Sequence, residues 1–123
     1  LDYSAILHQP ALPPGTPLRK VKEQDHGLAT ILDQTLIRDC AEAIEHGTPI
    51  AREYRISNVN RTTGTMLGYT LTKKHGGRGL PDDTIQLTFS GQAGQSFGAF
   101  VPRGITVRLE GDANDYIGKG LSG

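Results

Sequence analysis

The chain has 123 residues, with 13 basic and 13 acidic side chains and a formal net charge of zero. This length suits a single domain, and the balanced charge gives no electrostatic basis for binding nucleic acid or a membrane surface. The only cysteine, Cys40, excludes an internal disulfide and fits a reducing compartment. No run is apolar enough to span a bilayer and no signal peptide opens the chain, so we expect a cytoplasmic location.

The first predicted segment, residues 1–27, is a linker. Its middle part, residues 8–17 (HQPALPPGTP), carries four prolines and one glycine. Proline lacks a backbone donor and fixes φ, so a regular helix or strand is disfavoured at this density of prolines. We therefore interpret residues 1–27 as a connecting segment.

Residues 28–48 are predicted to hold one amphipathic helix. Its apolar residues recur every four positions and so share one helix face; they are Leu32, Leu36, Cys40 and Ile44. We predict the helix over Gln34–His46, with Asp33 as its N-cap and Gly47 as its C-terminal stop. Cys40 is expected to be a core residue rather than a nucleophile. The helix needs an apolar surface to cover, and we expect it to cap the first coil of the structure that follows.

Residues 49–84 carry a weak copy of a pattern that is clearer after Thr84. Four residues match positions thirty residues later, namely Arg61, Gly64, Leu67 and Gly68. In this alignment Val59 takes the place of Phe89, and the strand before it keeps poor register. The additional residues must be accommodated, and Lys73–Asp83 (KKHGGRGLPDD) has the composition of a surface loop.

The clearest pattern is a repeat of twenty residues that starts at Ile85. The first copy contains Ile85, Leu87, Phe89, Gly91, Gly94, Phe97 and Gly98, and the second contains Ile105, Val107, Leu109, Gly111, Asn114, Ile117 and Gly118. The alternation at the start of each copy is typical of a strand with one buried face. A fixed period predicts that the copies stack as successive coils, with Phe89 against Leu109 and Phe97 against Ile117.

Small residues are predicted to mark the corners where the coils turn. Glycine reaches positive φ and lets another chain approach closely, and asparagine is the next most tolerant residue. The predicted structural corners are Gly64, Gly68, Gly91, Gly94, Gly98, Gly111, Asn114 and Gly118. Together, the repeats predict a mainly β fold, a parallel β-helix or solenoid over residues 49–123, with one capping helix.

Patterns that would indicate catalysis or ligand binding are weak. The final run Gly118–Gly123 (GKGLSG) spells G-x-G-x-x-G, but that motif binds a pyrophosphate only between a strand and a helix. Asp112, Asn114 and Asp115 offer oxygen ligands for calcium, although side chains bonded to their own backbone at a turn explain them better. The four histidines lack metal-ligand spacing, and the basic residues of 73–78 fit a solvated loop. We expect no catalytic, cofactor-binding or metal-binding residue.

Two glycine-rich runs carry a resemblance to a known family, residues 91–100 (GQAGQSFGAF) and 111–123 (GDANDYIGKGLSG). Together with residues 58–61 (NVNR) and 79–85 (GLPDDTI), they strongly resemble the C-terminal domain of the glutamate synthase large subunit. The resemblance covers about residues 28–123. It implies that the parallel β-helix is right-handed.

In that family the chemistry lies in other domains. An amidotransferase domain releases ammonia from glutamine, and a barrel domain with FMN and an iron–sulfur cluster adds ammonia to 2-oxoglutarate and reduces the product to glutamate. The resemblance implies that this chain is a non-catalytic structural scaffold for those domains, inactive alone and without a cofactor of its own. The family's coils continue beyond the GLSG run, so we expect a partial domain, truncated at its C-terminus.

The expected partners are the other domains of the parent enzyme. An open last coil exposes a parallel edge, so self-association through the C-terminal coil is also expected. Two alternatives stay open: a solenoid component of another multisubunit oxidoreductase, similar to the glycine-rich solenoid of formylmethanofuran dehydrogenases, and an independent binding module. Residues 113–120 (ANDYIGKG) favour glutamate synthase over the first. An ice binder needs Thr-x-Thr on every coil, and only Thr70 and Thr72 are paired in that way.

Overall fold

The computed structural model describes residues 1 to 123. Residues 1–27 contain no helix or strand, and every one of them is exposed. A 3₁₀ turn at Leu28–Thr30 precedes the first helix. None of the helices combines the length and the apolar character that crossing a bilayer requires.

Two short helices occupy the segment for which a single helix was predicted. They are α1 (Leu32–Asp39) and α2 (Ala41–His46). Cys40, between them, has φ −97° and ψ 9°, and its N–H is shared between the carbonyl oxygens of Leu36 and Arg38. Such a shared bond tightens the last turn of a helix and breaks its continuity. Gly47 follows α2 with φ 71°, the left-handed conformation that commonly ends a helix.

Three parallel strands form one sheet in the order β1–β2–β3. The strands are β1 (Ile50–Ile56), β2 (Ile85–Ala93) and β3 (Ile105–Ala113). Phe89 on the central strand lies opposite Tyr54 of β1 and opposite Leu109 of β3, the second pairing being the one that the twenty-residue repeat predicts. The residues of β2 that face the core, Ile85, Leu87 and Phe89, are buried, because they alternate along the strand.

The prediction of a right-handed parallel β-helix is wrong. The chain forms one open sheet of three strands together with three α-helices, and the sheet neither closes nor winds into a solenoid. A β-helix needs several strands in each coil to build its separate walls, whereas each repeat here supplies one strand. Residues 94–104, between β2 and β3, contain only turns. The repeat therefore predicts how two strands pair but not how the rest of each copy folds.

The weak copy before Ile85 contains a helix that the sequence analysis missed. This helix, α3, spans Thr65–His75 and is followed by a 3₁₀ turn at Gly76–Arg78. Gly64 directly precedes α3 and Gly68 lies inside it, while the predicted loop at residues 73–83 begins within its last turn. Leu67 and Leu71, four residues apart, are both fully buried, and this spacing places them on one face of a helix.

The register of β1 also differs from the expected one. Tyr54, not Val59, lies opposite Phe89, and the side chain of Val59 is 78% exposed. Alternation of apolar and polar residues sets the register of a strand, because a shift of one residue moves every apolar side chain to the other face of the sheet. In β1 that alternation is broken by Arg52, which lies on the same side as Tyr54, so the pattern alone did not define the pairing.

The hydrophobic core joins the helices to one face of the sheet. Fifteen buried residues form a single cluster, with members from all three helices and from β2. At its centre the ring of Phe89 stacks on Tyr54, with centroids 5.6 Å apart, and meets the ring of Phe97 edge-on at 5.2 Å. Because the core occupies one face only, the opposite face of the sheet is left to polar side chains.

Candidate functional site: the glycine turns

The glycines at the ends of the strands stack on one another. Gly91 lies opposite both Ile56 and Gly111 in the sheet. Gly91 has φ 132° and Gly111 has φ 145°, values that other residues rarely adopt. A Cβ on Gly91 would collide with the carbonyl oxygen of Ile56, and one on Gly111 with the carbonyl oxygen of Gly91. Both positions therefore need glycine for conformation and for close backbone approach.

Gly94 is needed for close approach alone. Its φ is not in the left-handed region, but a Cβ there would lie 2.6 Å from the carbonyl oxygens of Asn58 and Asn60. The N–H of Gly94 donates to the carbonyl of Asn60 at 3.2 Å. Asn114, its equivalent in the second copy, is exposed and also lies outside the left-handed region. A side chain is tolerated at Asn114 because this turn lies at the surface.

Three of the predicted corner glycines adopt left-handed conformations next to turns. Gly98 has φ 68° and donates its N–H to the carbonyl of Thr63 at 2.9 Å, and Gly118 has φ 64° and donates to the carbonyl of Phe97 at 2.9 Å. Gly64 has φ 97° and precedes α3. These backbone bonds connect each turn to the turn before it in the sheet order, so the turns stack as the strands do.

A second set of left-handed residues contains no glycine, and sequence reasoning missed it. Thr62, Ser96 and Tyr116 have φ values of 57°, 62° and 62°. The N–H of Thr62 donates to the carbonyl of Gln95, and that of Ser96 to the carbonyl of Asp115, each at 2.8 Å. Serine, threonine and tyrosine give no indication of positive φ in a sequence. Only the twenty-residue offset between Ser96 and Tyr116 marks them as equivalent positions.

The carboxylate of Asp33 holds the N-terminus of α3. Asp33 is 2% exposed, and its oxygens accept the backbone N–H groups of Gly64 at 2.8 Å, Met66 at 2.7 Å and Leu67 at 3.2 Å. The N-cap predicted for Asp33 on its own helix is therefore absent, since α1 begins after Ile31 without a side-chain cap. Burial raises the pKa of Asp33, and the three backbone donors oppose that shift.

Gly68 lets α3 approach the turn after β2. A Cβ on Gly68 would lie 3.0 Å from the carbonyl oxygen of Phe100 and 2.9 Å from Cδ of Pro102. The hydroxyl of Thr65, one turn earlier, donates to the carbonyl of Ala99 at 2.7 Å. α3 is thus fixed at its start by Asp33 and along its side by this turn.

Cys40, Asp39 and Tyr54 meet where α1 packs on β1. The hydroxyl of Tyr54 donates to a carboxylate oxygen of Asp39 at 3.1 Å, and burial together with this carboxylate raises the pKa of Tyr54. Cys40 is fully buried, and burial raises the pKa of its thiol to about 11. A thiol in this environment stays protonated at neutral pH, which does not suit a nucleophile.

The remaining candidate ligand groups are not brought together. No group of three or more His, Cys, Asp or Glu side chains lies close enough to hold a metal ion. Asp112, Asn114 and Asp115 line a shallow groove, where the side-chain oxygen of Asn114 accepts the N–H of Asp115 at 2.8 Å. Residues 118–123 themselves contain no helix or strand.

Two surfaces remain for contact with other molecules. On the polar face of the sheet lies a shallow groove, and the residues that line it include Glu53, Arg55, Thr88, Ser90, Arg108 and Glu110. Beside β3, on the core side, an apolar groove of about 320 Å³ is lined by Phe97, Gly98, Val107, Leu109, Ile117, Gly118 and Leu121. Neither surface contains a cluster of reactive side chains.

Comparison with known proteins shows which family the chain belongs to. The GXGXG motif family matches residues 33–123, which is most of the chain. The chain belongs to this family. The GXGXG domain is 48% identical over 125 residues to the glutamate synthase [NADH] of Saccharomyces cerevisiae, and 48% identical over 125 residues to the glutamate synthase [NADPH] large chain of Bacillus subtilis. It is 35% identical over 126 residues to the chloroplastic ferredoxin-dependent glutamate synthase of Oryza sativa.

These matches cover 100% of the chain but a small share of each relative. The chain spans 6% of the yeast protein and 8% of the Bacillus and rice proteins. The predicted resemblance to the glutamate synthase large subunit is confirmed, and the chain is a domain of the glutamate synthase type.

Proposed function

We propose that this GXGXG domain is a non-catalytic structural scaffold of a glutamate synthase, an enzyme that converts glutamine and 2-oxoglutarate, with a reductant, to two molecules of glutamate. The observation that carries the proposal is the 48% identity to the Bacillus subtilis large chain over 100% of this chain. Because the chain spans 8% of that relative, we assign the chemical steps to other domains of the parent enzyme.

The environment of the reactive groups supports a scaffold rather than a catalyst. A catalytic centre places a nucleophile, an acid or a base in a cleft where substrate can reach it. Here the thiol of Cys40 is fully buried and protonated, and the carboxylate of Asp33 is engaged by three backbone donors. Every buried side-chain nitrogen or oxygen has a hydrogen-bond partner. These groups stabilise the fold.

The residues present do not fit the cofactors of the parent enzyme. An iron–sulfur cluster is held by several cysteine thiolates, and the chain has one cysteine. A flavin phosphate often binds the N-terminus of a helix, but the N-terminus of α3 is already occupied by the carboxylate of Asp33. We therefore assign FMN and the iron–sulfur cluster to other domains and derive no chemical step here.

We assign the contact with neighbouring domains to the polar face of the sheet. Parallel sheets are usually covered on both faces, and here only one face is covered by the core. In register across the open face lie Glu53, Thr88 and Arg108, and next to them Arg55, Ser90 and Glu110. Both rows carry opposite charges at their two ends, which suits a partner surface with both charge signs. A cytoplasmic location stays a prediction.

Exchanging this domain between proteins tests the proposal. We replace the matching segment of the Bacillus subtilis large chain with this chain, and in a second protein we delete that segment. The replaced enzyme is expected to assemble and form glutamate at close to the parental rate. The deletion is expected to leave little soluble, assembled enzyme, because its other domains lose their support.

The chain alone provides the complementary test. It is expected to fold but to form no glutamate from glutamine and 2-oxoglutarate with any reductant. Activity of the isolated chain would contradict the proposal. So would a deletion protein that assembles and works as well as its parent.

A further inference from the structure

Residues 1–27, the N-terminal segment, add nothing to the packing of the domain. The core cluster has no member from this segment. Residues 1–26 form hydrogen bonds only with one another, and the segment joins the rest of the chain through a turn in which Thr30 bonds to the carbonyl of Gly27. The fold of residues 28–123 therefore does not hold the segment in place.

The N-terminal segment is nevertheless rich in large apolar side chains. Six of them are between 44% and 79% exposed, namely Tyr3, Ile6, Leu7, Leu12, Leu18 and Val21. The N–H groups of Ile6 and Leu7 both donate to the carbonyl of Tyr3 at 2.9 Å, which closes one helical turn. Side chains at this spacing lie on one face and are the anchors with which short helical segments enter apolar grooves.

Proline stiffens the middle of the segment. Residues 8–17 contain four prolines, each of which fixes φ. Flexible tethers are instead rich in glycine and serine, and proline-rich stretches stay extended. An extended, stiff stretch loses less conformational freedom when it is laid on a surface. The composition therefore suits docking better than free movement.

The end of the segment carries a basic run, residues 19–22 (RKVK). Lys20 pairs with Glu23 at 3.0 Å, whereas Arg19 and Lys22 belong to no ion pair. Complementary charge on a partner fixes the register of a contact and disfavours other partners. Carboxylates beside an apolar groove would match this run.

The matches to glutamate synthases include the segment and allow it little added length. The family model starts at residue 33, but the yeast and Bacillus matches cover 100% of the chain, over 125 positions for its 123 residues. These relatives therefore insert very few residues anywhere in this stretch. Surface connections without contacts tolerate insertions readily. The limited added length favours a segment that follows a surface.

We propose that the N-terminal segment lies in an apolar groove, bordered by carboxylates, on the part of the parent large chain that adjoins this domain. The turn around Ile6 is the first anchor, and Leu18 with Val21 is the second. Arg19 and Lys22 face the carboxylates. The chain spans 6% to 8% of its relatives, so the rest of the same polypeptide has ample surface for the groove. This inference rests on the proposed function, because the groove belongs to the parent enzyme.

A slack tether between domains is the competing arrangement, and trypsin separates the two. Trypsin cuts after Arg19, Lys20 and Lys22. We use the Bacillus subtilis large chain that carries this domain in place of its own, and a synthetic peptide of residues 1–27 gives the rate for an unprotected segment. In the assembled enzyme these bonds are expected to be cut about tenfold more slowly or less, because cleavage then requires the segment to leave its groove.

Substitutions in the segment test the stated contacts, each compared with a peptide of the same sequence. I6S/L7S is expected to be cut at about the rate of its peptide, since losing two buried apolar side chains weakens docking by more than about tenfold. The matched control I6V/L7I keeps its protection. R19Q/K22Q, cut after Lys20, is expected to be cleaved about threefold faster than the unaltered enzyme.

The outcomes distinguish this inference from the proposed function. An unaltered enzyme cut as fast as the peptide establishes a slack tether and overturns the inference, whereas the scaffold function stands if the deletion protein still fails to assemble. Full protection of I6S/L7S or of R19Q/K22Q also overturns it, since the segment would be covered without these contacts. An I6S/L7S enzyme that no longer assembles supports it. If the unaltered replacement does not assemble, the proposed function fails and this inference fails with it.

Discussion

Glycine meets two separate physical requirements in this chain, namely close approach of another backbone segment and a positive φ. Gly94 has only the first requirement, and Gly98 has only the second. At Gly94 the backbone is ordinary, but two carbonyl oxygens lie where a Cβ would be. At Gly98 there is room, since the nearest atom to a Cβ would be Cγ2 of Val107 at 3.6 Å, but φ is 68°. The first position excludes any side chain, and the second excludes only residues that resist left-handed conformation.

Alanine substitutions at the two glycines are therefore expected to differ. Gly94→Ala should lower the free energy of unfolding by about 2 to 3 kcal/mol, as overpacking does. Gly98→Ala should cost about 1 kcal/mol, and Gly98→Asn less, because asparagine tolerates the conformation. Urea unfolding measures the differences, with Gly77→Ala as control, where a Cβ meets open space. Equal costs at Gly94 and Gly98 would contradict the separation.

At Ser96 we consider the opposite substitution, in which a residue with a side chain is replaced by glycine. Its φ of 62° is unfavourable for serine, so Ser96→Gly relieves strain, although glycine adds conformational freedom to the unfolded chain. The net gain is expected to be about 0.5 kcal/mol. Ser90→Gly, in the middle of the sheet, serves as control and should destabilise the protein. A destabilising Ser96→Gly in urea unfolding would show that the left-handed turn imposes no strain.

At the scale of elements, one buried carboxylate connects α1 to α3. Asp33 lies in the first turn of α1, yet it satisfies three of the backbone donors that the start of α3 leaves free. The contact spans about thirty residues of sequence, for example from Asp33 to Gly64. α3 thus depends on α1 for its beginning, and the two helices are expected to unfold together.

Removing this carboxylate should destabilise both helices. Asp33→Ala leaves buried N–H groups without partners and is expected to cost about 3 kcal/mol. Asp33→Asn keeps one acceptor oxygen and should cost roughly half as much. Urea unfolding followed by circular dichroism measures both, with Asp25→Asn in the exposed N-terminal segment as control. A cost for Asp33→Ala as small as that of the control would rule out the capping role.

The junction of α1 and β1 makes the fold sensitive to alkali. The pKa of Cys40 is raised from 9.0 to about 11, so between these values the folded protein keeps a proton that the unfolded chain loses. Stability is therefore complete below pH 9 and falls as the pH rises toward 11, and the raised pKa of Tyr54 acts in the same direction. The loss from Cys40 should reach on the order of 2 kcal/mol.

Comparing the chain with Cys40→Ala checks this dependence. Urea unfolding at about pH 8 and about pH 10.5 should show a smaller loss of stability in the variant, because it has no thiol to ionise in the unfolded state. The same loss in both proteins would show that Cys40 is not the source. Tyr54→Phe tests the second group in the same way.

The sequence predicted the parts of the fold that local periodicity determines. The pairing of β2 with β3 follows from the twenty-residue repeat, and Gly47 was correctly placed at the end of a helix. The sequence did not predict the elements whose conformation depends on contacts between residues far apart in the chain. α3 contains Gly68 and three threonines, which are poor helix formers, and it is fixed by Asp33 and by the turn near Phe100.

The error over the β-helix has the same origin. A repeat fixes which residues are equivalent, so Phe89 and Leu109 pair as predicted. It does not show how many strands each copy holds, because turns and strands can both carry small residues at regular spacing. The left-handed Ser96 and Tyr116 were likewise invisible, since their conformation is imposed by the bonds between stacked turns.

At the scale of the whole molecule, the chain has one core and one open sheet face. The core packs the three helices against the sheet, so the open face is supported from behind by a continuous packed layer. A rigid domain with exposed, shaped surfaces and no accessible reactive group is suited to holding other domains in place. This arrangement predicts that damage to the domain lowers the amount of assembled enzyme and leaves the chemistry of each assembled molecule unchanged.

The turnover number per assembled enzyme tests this claim most directly. We would introduce Asp33→Ala into the Bacillus subtilis large chain that carries this domain in place of its own, and measure both the assembled amount and kcat of the purified assembled fraction. The scaffold account predicts a smaller assembled amount, recovered at lower temperature, with kcat unchanged. Full assembly together with a strongly reduced kcat would contradict it.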